Sequence, residues 1–294
     1  MTNAPINFKQ ERDFGDLFNA TFGFISQEFK KLATAILYFV VPFLLLSAIA
    51  ITLYSVKVQE MMQTVTQGDK PDPFAIFAII GSIMGYVGFM MVMSILATTM
   101  LLSTVYCYIK LYIQKGTDGF SINDVWIEVT KYFWSVLLTS IVVALVIGIG
   151  MVLCLLPGIY LGVALSIIFC IMIFEDKSFS ASFSRSMKLI NTNWWGTFGV
   201  FIVATIIIYI IAILFSIPGV ILGFKSLFAN MKTGQAPMMD FSVGFYIVSA
   251  ITSLFTQFLM VIPIVISAFI YYSTVEKVEK PSLMDKIGQI RNNE

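Results

Sequence analysis

The 294-residue chain contains no histidine, and only 12% of its residues are charged, roughly half the usual share. Without histidine, the commonest acid–base group and metal ligand is missing. So are the Ser-His-Asp triad and the histidine–glutamate zinc motifs. The 18 basic and 17 acidic residues leave a net charge of +1, which gives no global field to attract a nucleic acid. Neither a Walker loop nor a dinucleotide-binding glycine fingerprint is present, and the long apolar runs hold no carboxylate pair for aspartyl intramembrane proteolysis. Cys107, Cys154 and Cys170 are odd in number and all fall in apolar runs, so they read as small buried hydrophobes. Cys154 lies at a different depth from the other two, which does not suit a three-ligand metal cluster. No catalytic, cofactor-binding or metal-ligating set emerges.

Apolar residues make up 58% of the chain, and the mean hydropathy is +0.89. An integral membrane protein follows. Charges cost about 2.5–3.5 kcal/mol each at the centre of a membrane helix, so charge-free runs locate the bilayer. There are five long ones: Leu32–Val56, Pro73–Ile109, Tyr132–Phe174, Leu189–Phe224 and Phe241–Val275. The third spans 43 residues, twice the requirement of about 20, and Pro157-Gly158 sits in its middle as the expected turn of a tight hairpin. Six spans result, near residues 32–54, 76–108, 133–155, 159–174, 196–217 and 243–272. Residues 1–31 and 274–294 flank this six-span domain of residues 32–273.

The basic residues fit that count. With an interior N-terminus, fourteen fall inside: Lys9, Arg12, Lys30, Lys31, Lys110, Lys115, Lys131, Lys177, Arg185, Lys188, Lys277, Lys280, Lys286 and Arg291. Lys57, Lys70, Lys225 and Lys232 are the four outside. If the third run crossed once, the tally would be even at nine and nine, so the positive-inside rule favours six spans with both termini cytoplasmic. Pro263 is expected to kink the last span, and the small-xxx-small spacing of Gly81, Gly85 and Gly88 suits helix packing.

Between Arg12 and Lys31, Phe14, Leu17, Phe18, Thr21, Phe22, Ile25 and Phe29 recur at three- and four-residue steps. This predicts an amphipathic helix resting flat at the cytoplasmic interface, its phenylalanines in the acyl boundary. Ser121-Ile122-Asn123-Asp124 predicts a capping box opening a second short helix, followed by Val125, Trp126, Val129 and Phe133. Ser178–Asn191 predicts a third, with Phe179, Phe183, Met187 and Ile190 on one side. Trp126, Trp134, Trp194 and Trp195 join Phe14, Phe18 and Phe22 as interfacial anchors. Trp134 to Pro157 and Trp195 to Pro218 are both 23 residues, and Tyr132–Gly158 aligns with Asn193–Gly219 without a gap. Two readings stand: repeated helix hairpins, or aromatic anchors and proline caps that arose independently.

The spans hold one concentration of polar side chains, at Ser249, Ser253, Thr256 and Gln257, with Thr252 beside them. Ser249, Ser253 and Gln257 are four apart and form a stripe, which serves either as interhelical glue at about 0.6 kcal/mol per hydrogen bond or as a polar cavity wall. Glu175 and Arg185 form either an ion pair fixing the third amphipathic helix or two solvated boundary charges.

The run Leu156-Pro157-Gly158-Ile159, a short span, then Glu175, Arg185-Ser186, Leu189 and Trp194-Trp195-Gly196 resembles uncharacterised bacterial multi-pass proteins related to the membrane domain of glycerophosphodiester phosphodiesterases. The resemblance covers Pro157–Gly219, and the remainder by layout only. It implies a six-helix membrane module without an assigned reaction. The diesterase activity in that family belongs to a separate soluble barrel, for which this chain has no room.

The expected protein is therefore an all-α, six-helix integral membrane bundle with interfacial helices on the cytoplasmic side of the inner membrane. It acts without catalysis as a structural or accessory module, its partners being membrane lipids and neighbouring membrane proteins. The alternative is a carrier or channel for an uncharged or amphiphilic substrate that uses the polar stripe of the last span.

Overall fold

A computed structural model describes residues 6–66, 73–232 and 243–281. Among the described residues there are helices and no strand. In chain order they are α1 (Phe14–Phe39), α2 (Val41–Thr66), α3 (Pro73–Lys115), α4 (Ile122–Leu153), α5 (Leu155–Ala164), α6 (Ile168–Phe174), α7 (Phe179–Asn191), α8 (Trp194–Lys232), α9 (Val243–Leu259) and α10 (Val261–Glu279). Five stretches are long and apolar enough to cross a membrane: Ile80–Lys115, Ile122–Leu153, Leu155–Phe174, Trp194–Lys225 and Ile251–Glu279. The count rises to six when α1 and the first part of α2 are taken as one broken span.

Proline sets three of the helix boundaries. A proline removes its own donor and crowds the carbonyl four residues back, so the break falls upstream of the ring. Val40 interrupts the helix before Pro42, Cys154 before Pro157 and Met260 before Pro263. The expectation that Pro157-Gly158 itself forms the hairpin turn is thereby corrected. Cys154 makes the reversal in an extended conformation (φ −167°, ψ 138°), while Pro157 sits in the first turn of α5. Gly158 serves close approach instead. A Cβ there would lie 2.7 Å from the Met151 backbone nitrogen, and one on Gly150 would lie 3.0 Å from the Gly158 Cα. Further along, Gly162 faces Ile147, so α4 and α5 run antiparallel with their backbones touching near the turn. The reversal also leaves Cys154 exposed, against the expectation for a buried hydrophobe, whereas Cys107 and Cys170 are fully buried. Pro218, by contrast, lies inside an uninterrupted α8. The two aligned segments thus differ in outline: one breaks at its proline and the other continues through it.

The chain divides into two compact units. The first takes in residues up to Ile36, Thr99–Tyr209 and Phe258 onward, and so holds most of α1, the end of α3, α4–α7, the start of α8 and α10. Its centre is apolar and aromatic: Phe24, Val105, Tyr106, Ile109, Ile171, Val265 and Phe269 are all buried. In the second unit, Leu37–Thr98 and Ile210–Gln257, the Phe215 and Phe255 rings stack and join α8 to α9.

The three amphipathic stretches take different forms. α1 continues beyond Lys31 to Phe39 and turns Leu17, Thr21, Phe24, Glu28, Leu32 and Ala35 into the core. Phe14, Phe22 and Phe29 are exposed, but Leu17 and Thr21, expected on their stripe, face inward. The capping box forms as expected: the Asp124 N–H donates to Ser121 Oγ, and the Ser121 N–H donates to Asp124 Oδ2 at 2.8 Å. It opens the single 32-residue α4 rather than a separate short helix. α7 stands alone, with Phe179, Phe183 and Met187 packed on a small core of Val143, Leu165 and Ile168. The Ser186 hydroxyl pins it by donating to the Ala164 carbonyl at 2.7 Å.

Candidate functional site at the ionic end of the first unit

α6 ends at Phe174, and the next two residues carry adjacent carboxylates that reach four helices. Glu175 Oε1 accepts from Arg185 Nε of α7 and from the Tyr271 hydroxyl of α10, both at 2.7 Å. Glu175 Oε2 meets Lys177 Nζ at 2.6 Å. Arg185 then uses its remaining donors on Glu279, at 2.7 and 3.0 Å. This bidentate contact fixes the guanidinium plane between α7 and the end of α10. Burial pushes the Glu175 carboxyl up, but hydrogen bonds from Lys177, Tyr271 and Arg185 outweigh it and hold the group below its ordinary 4.5. The pairing with Glu279, opposed by burial and reinforced by Glu175, keeps the Arg185 guanidinium above its usual value. Of the two readings of Glu175 and Arg185, the geometry is that of the ion pair.

Asp176 takes the other direction. Its backbone is left-handed (φ 52°), a conformation that aspartate tolerates better than most residues. The turn aims its carboxylate at the Tyr132 hydroxyl of α4, which donates to it, and at Lys110 Nζ of α3 at 3.3 Å. Lys110 also donates to Tyr132 at 2.6 Å and approaches Glu128 at 3.3 Å. Only 6% of Lys110 is exposed, so its ammonium is held by three partners in place of water.

A second buried charge lies on α1. Glu28 is 1% exposed; the Tyr108 hydroxyl donates to its Oε2 at 2.6 Å, and its Oε1 has no partner among the described residues. Sequence position puts Glu28 and Lys110 just beyond the charge-free runs, and packing buries both among helices.

The chain entering α1 belongs to the same end. Phe8 is buried, stacked on Phe269 at 4.2 Å and flanked edge-on by Phe24, Tyr112 and Tyr272. Arg12 donates from Nη1 to the Phe8 carbonyl at 3.1 Å, and its guanidinium covers the Phe269 ring at 4.7 Å. Its backbone N–H donates to Ser273 Oγ at 3.0 Å. Lys31 reaches the loop after α3, donating to the Thr117 carbonyl at 2.6 Å and to Asp118 at 2.7 Å. The segment before α1, the α3–α4 loop, the α6–α7 loop and the end of α10 are therefore tied together at one end of this unit.

The other candidates take no part in the contacts of this network. In the second unit the Thr252 hydroxyl donates to the Phe215 carbonyl at 3.4 Å, and Thr256 donates to the Thr252 carbonyl at 2.8 Å. Ser253 is exposed and Gln257 half-buried, while the Ser249 side chain lies outside the described residues. Trp126, Trp134 and Trp195 are exposed; Trp194 is half-buried, its indole N–H donating to the Tyr160 carbonyl at 3.3 Å. Sequence reasoning missed Phe8, Glu28, Tyr108, Lys110, Tyr132 and Tyr271. A signal existed for two of them: Lys110 ends one charge-free run and Tyr132 begins the next.

What the arrangement can do is clamp. Its acids and bases face one another across helices, and among the described residues no group of three potential ligands is placed to hold a metal. Comparison of the chain with protein-family models, with curated proteins and with solved structures finds no match.

Proposed function

We propose that this is a non-enzymatic multi-pass protein of the cytoplasmic membrane, with six spans and both termini in the cytoplasm. It serves as a structural or accessory module for lipids or neighbouring membrane proteins. The observation that carries this reading is the convergence of four distant segments on one end of the first unit. They are the segments that the distribution of lysine and arginine assigns to the inner side. Glu175, Asp176, Lys110 and Arg185 are engaged in holding those segments together, which suits a scaffold better than a reaction centre. The exposed phenylalanines of α1 and the exposed Trp126, Trp134 and Trp195 support an interfacial role for α1 and for the starts of α4 and α8. The likeness to the membrane domain related to glycerophosphodiester phosphodiesterases, and the repeat of helix hairpins, are proposed on the same footing.

The carrier reading is tested at Ser253. In a background lacking Cys107, Cys154 and Cys170, Ser253→Cys is exposed to a membrane-impermeant maleimide from each side of sealed vesicles. An accessory module whose α9 stripe packs or faces lipid gives no labelling from either side. Labelling from one side or both would show a water-filled path to that depth and replace this reading with the carrier.

A further inference from the structure

The turn between α4 and α5 presents an apolar tip. Val152, Leu153, Leu155 and Leu156 are 63–88% exposed, and Cys154 between them is exposed as well. From Ile141 to Leu165 the chain carries no charged, amide, serine or threonine side chain. The neighbouring connections differ: Thr117 and Asp118 stand between α3 and α4, and Glu175, Asp176 and Lys177 between α6 and α7. Turns that stand in water favour polar side chains, whereas a cluster of exposed apolar ones calls for apolar surroundings.

The backbone of the turn suits the same surroundings. Hydrocarbon offers no hydrogen bonds, so every main-chain N–H or C=O left open there is costly. The reversal leaves a single residue outside the two helices, and the Cys154 N–H donates to the Gly150 carbonyl at 3.1 Å. The first amides of α5 have no intrahelical acceptor, and Pro157 among them has no N–H to leave open. Its reach is also short. Even upright, the helix from the exposed Trp134 to Leu153 rises about 29 Å, no more than the hydrocarbon thickness of about 30 Å, and tilt shortens that reach. On the return limb, Tyr160 lies six positions past Cys154. Its hydroxyl donates to Asn191 Oδ1 at 2.8 Å, and its carbonyl accepts from the Trp194 indole. Asn191 and Trp194 follow Lys188, in a segment that the lysine distribution assigns to the inner side. The turn therefore stands only about 9 Å of helix rise past a residue tied to that segment.

We infer that the α4–α5 tip is a lipid-contact surface whose partner is the acyl chains of the bilayer: the hairpin enters from the inner side and turns inside the hydrocarbon, with no loop in the outer aqueous phase. Val152, Leu153, Leu155 and Leu156 meet acyl chains there, and the Gly150–Gly158 contact keeps the two backbones close enough to turn in one residue. The inference rests on the sidedness of the six-helix reading above and alters only where its third and fourth helices meet. Both limbs still begin and end on the inner side, so the even count of crossings is kept.

The native Cys154 is the reporter, because Cys107 and Cys170 are buried. The full wild-type chain is labelled in detergent with a methanethiosulfonate nitroxide and reconstituted into sealed phosphatidylethanolamine–phosphatidylglycerol vesicles. Cys154→Ser, which should lose the signal, locates the label. Electron paramagnetic resonance then reads collisions with oxygen, which enters hydrocarbon, and with a polar nickel chelate, which stays in water. Oxygen should relax the Cys154 label, and the chelate should have no effect from either side of the membrane. Relaxation by the chelate from either side would place the turn in water and overturn the inference. Insensitivity to both reagents would mean that protein covers the tip, and would overturn acyl chains as its partner. Lys225→Cys in the Cys154→Ser background reports the sidedness reading separately, since its label should meet the chelate from the outer side alone. If that label met the chelate only from the inner side, the sidedness would fall while the Cys154 result would still decide whether the turn lies in lipid.

Discussion

At the scale of single residues, Glu175 does the most. It receives donors from α7, α10 and its own loop, and these overcome the burial that would otherwise favour its neutral form. A carboxyl held lower in the fold than in the unfolded chain adds stability above its ordinary value near 4.5, and that stability is lost as pH falls through the lower folded value. Thermal unfolding in detergent between pH 7 and pH 3 should therefore show an acid limb that Glu175→Gln flattens. The same substitution should cost about 1–3 kcal/mol at neutral pH, since Arg185 keeps Glu279 but loses one partner. An unchanged acid limb in the variant would remove Glu175 from this role. The Glu175–Arg185 pair could be anticipated from sequence because the two opposite charges stand 10 residues apart, one just before the expected third amphipathic helix and one within it. Glu28 could not. Its burial depends on Tyr108, 80 positions away, and a glutamate among Gln27, Phe29 and Lys30 looks like any exposed helical residue. Phe8 had no periodic pattern around it to mark it as core.

At the scale of helices, proline and glycine explain the breaks and the closest approach. The four later charge-free runs overlap five stretches able to cross a membrane and the capping box marks a helix start, because both signals are local, whereas the first run holds the break at Val40 and reaches across only as a bent pair of helices. The hairpin was visible as a length excess, but its turn sits at Cys154, upstream of the residue that causes it. α1 and α4 were underestimated because an amphipathic stretch leading into an apolar one shows no sequence boundary when the helix runs on. The α4–α5 contact gives a paired test. Gly158→Ala places a methyl 2.7 Å from the Met151 backbone nitrogen, and should destabilise the protein by about 1–3 kcal/mol through forced separation of the helices. Gly162→Ala meets only the Ile147 Cδ1 at 3.9 Å, and should be neutral or stabilising by about 0.5–1 kcal/mol. Unfolding temperatures in one detergent compare the two. Equal effects would mean that the near-turn contact is not the tight one.

At the scale of the whole molecule, the central claim is an even number of crossings that returns the ends and the inner loops to one side. Composition made the membrane class legible, and the uneven distribution of lysine and arginine made the sidedness legible as an expectation. The convergence that supports it, Arg12 on Ser273 and Arg185 on Glu279, joins residues 261 and 94 positions apart and had no sequence signal. The most direct measurement is sidedness at both ends of the chain in one vesicle preparation. Lys9→Cys and Lys280→Cys, each in a cysteine-free background, are probed with an impermeant maleimide before and after the vesicles are opened. Both should be labelled from the cytoplasmic face alone. Labelling of the two positions from opposite faces would mean an odd number of crossings and contradict the account.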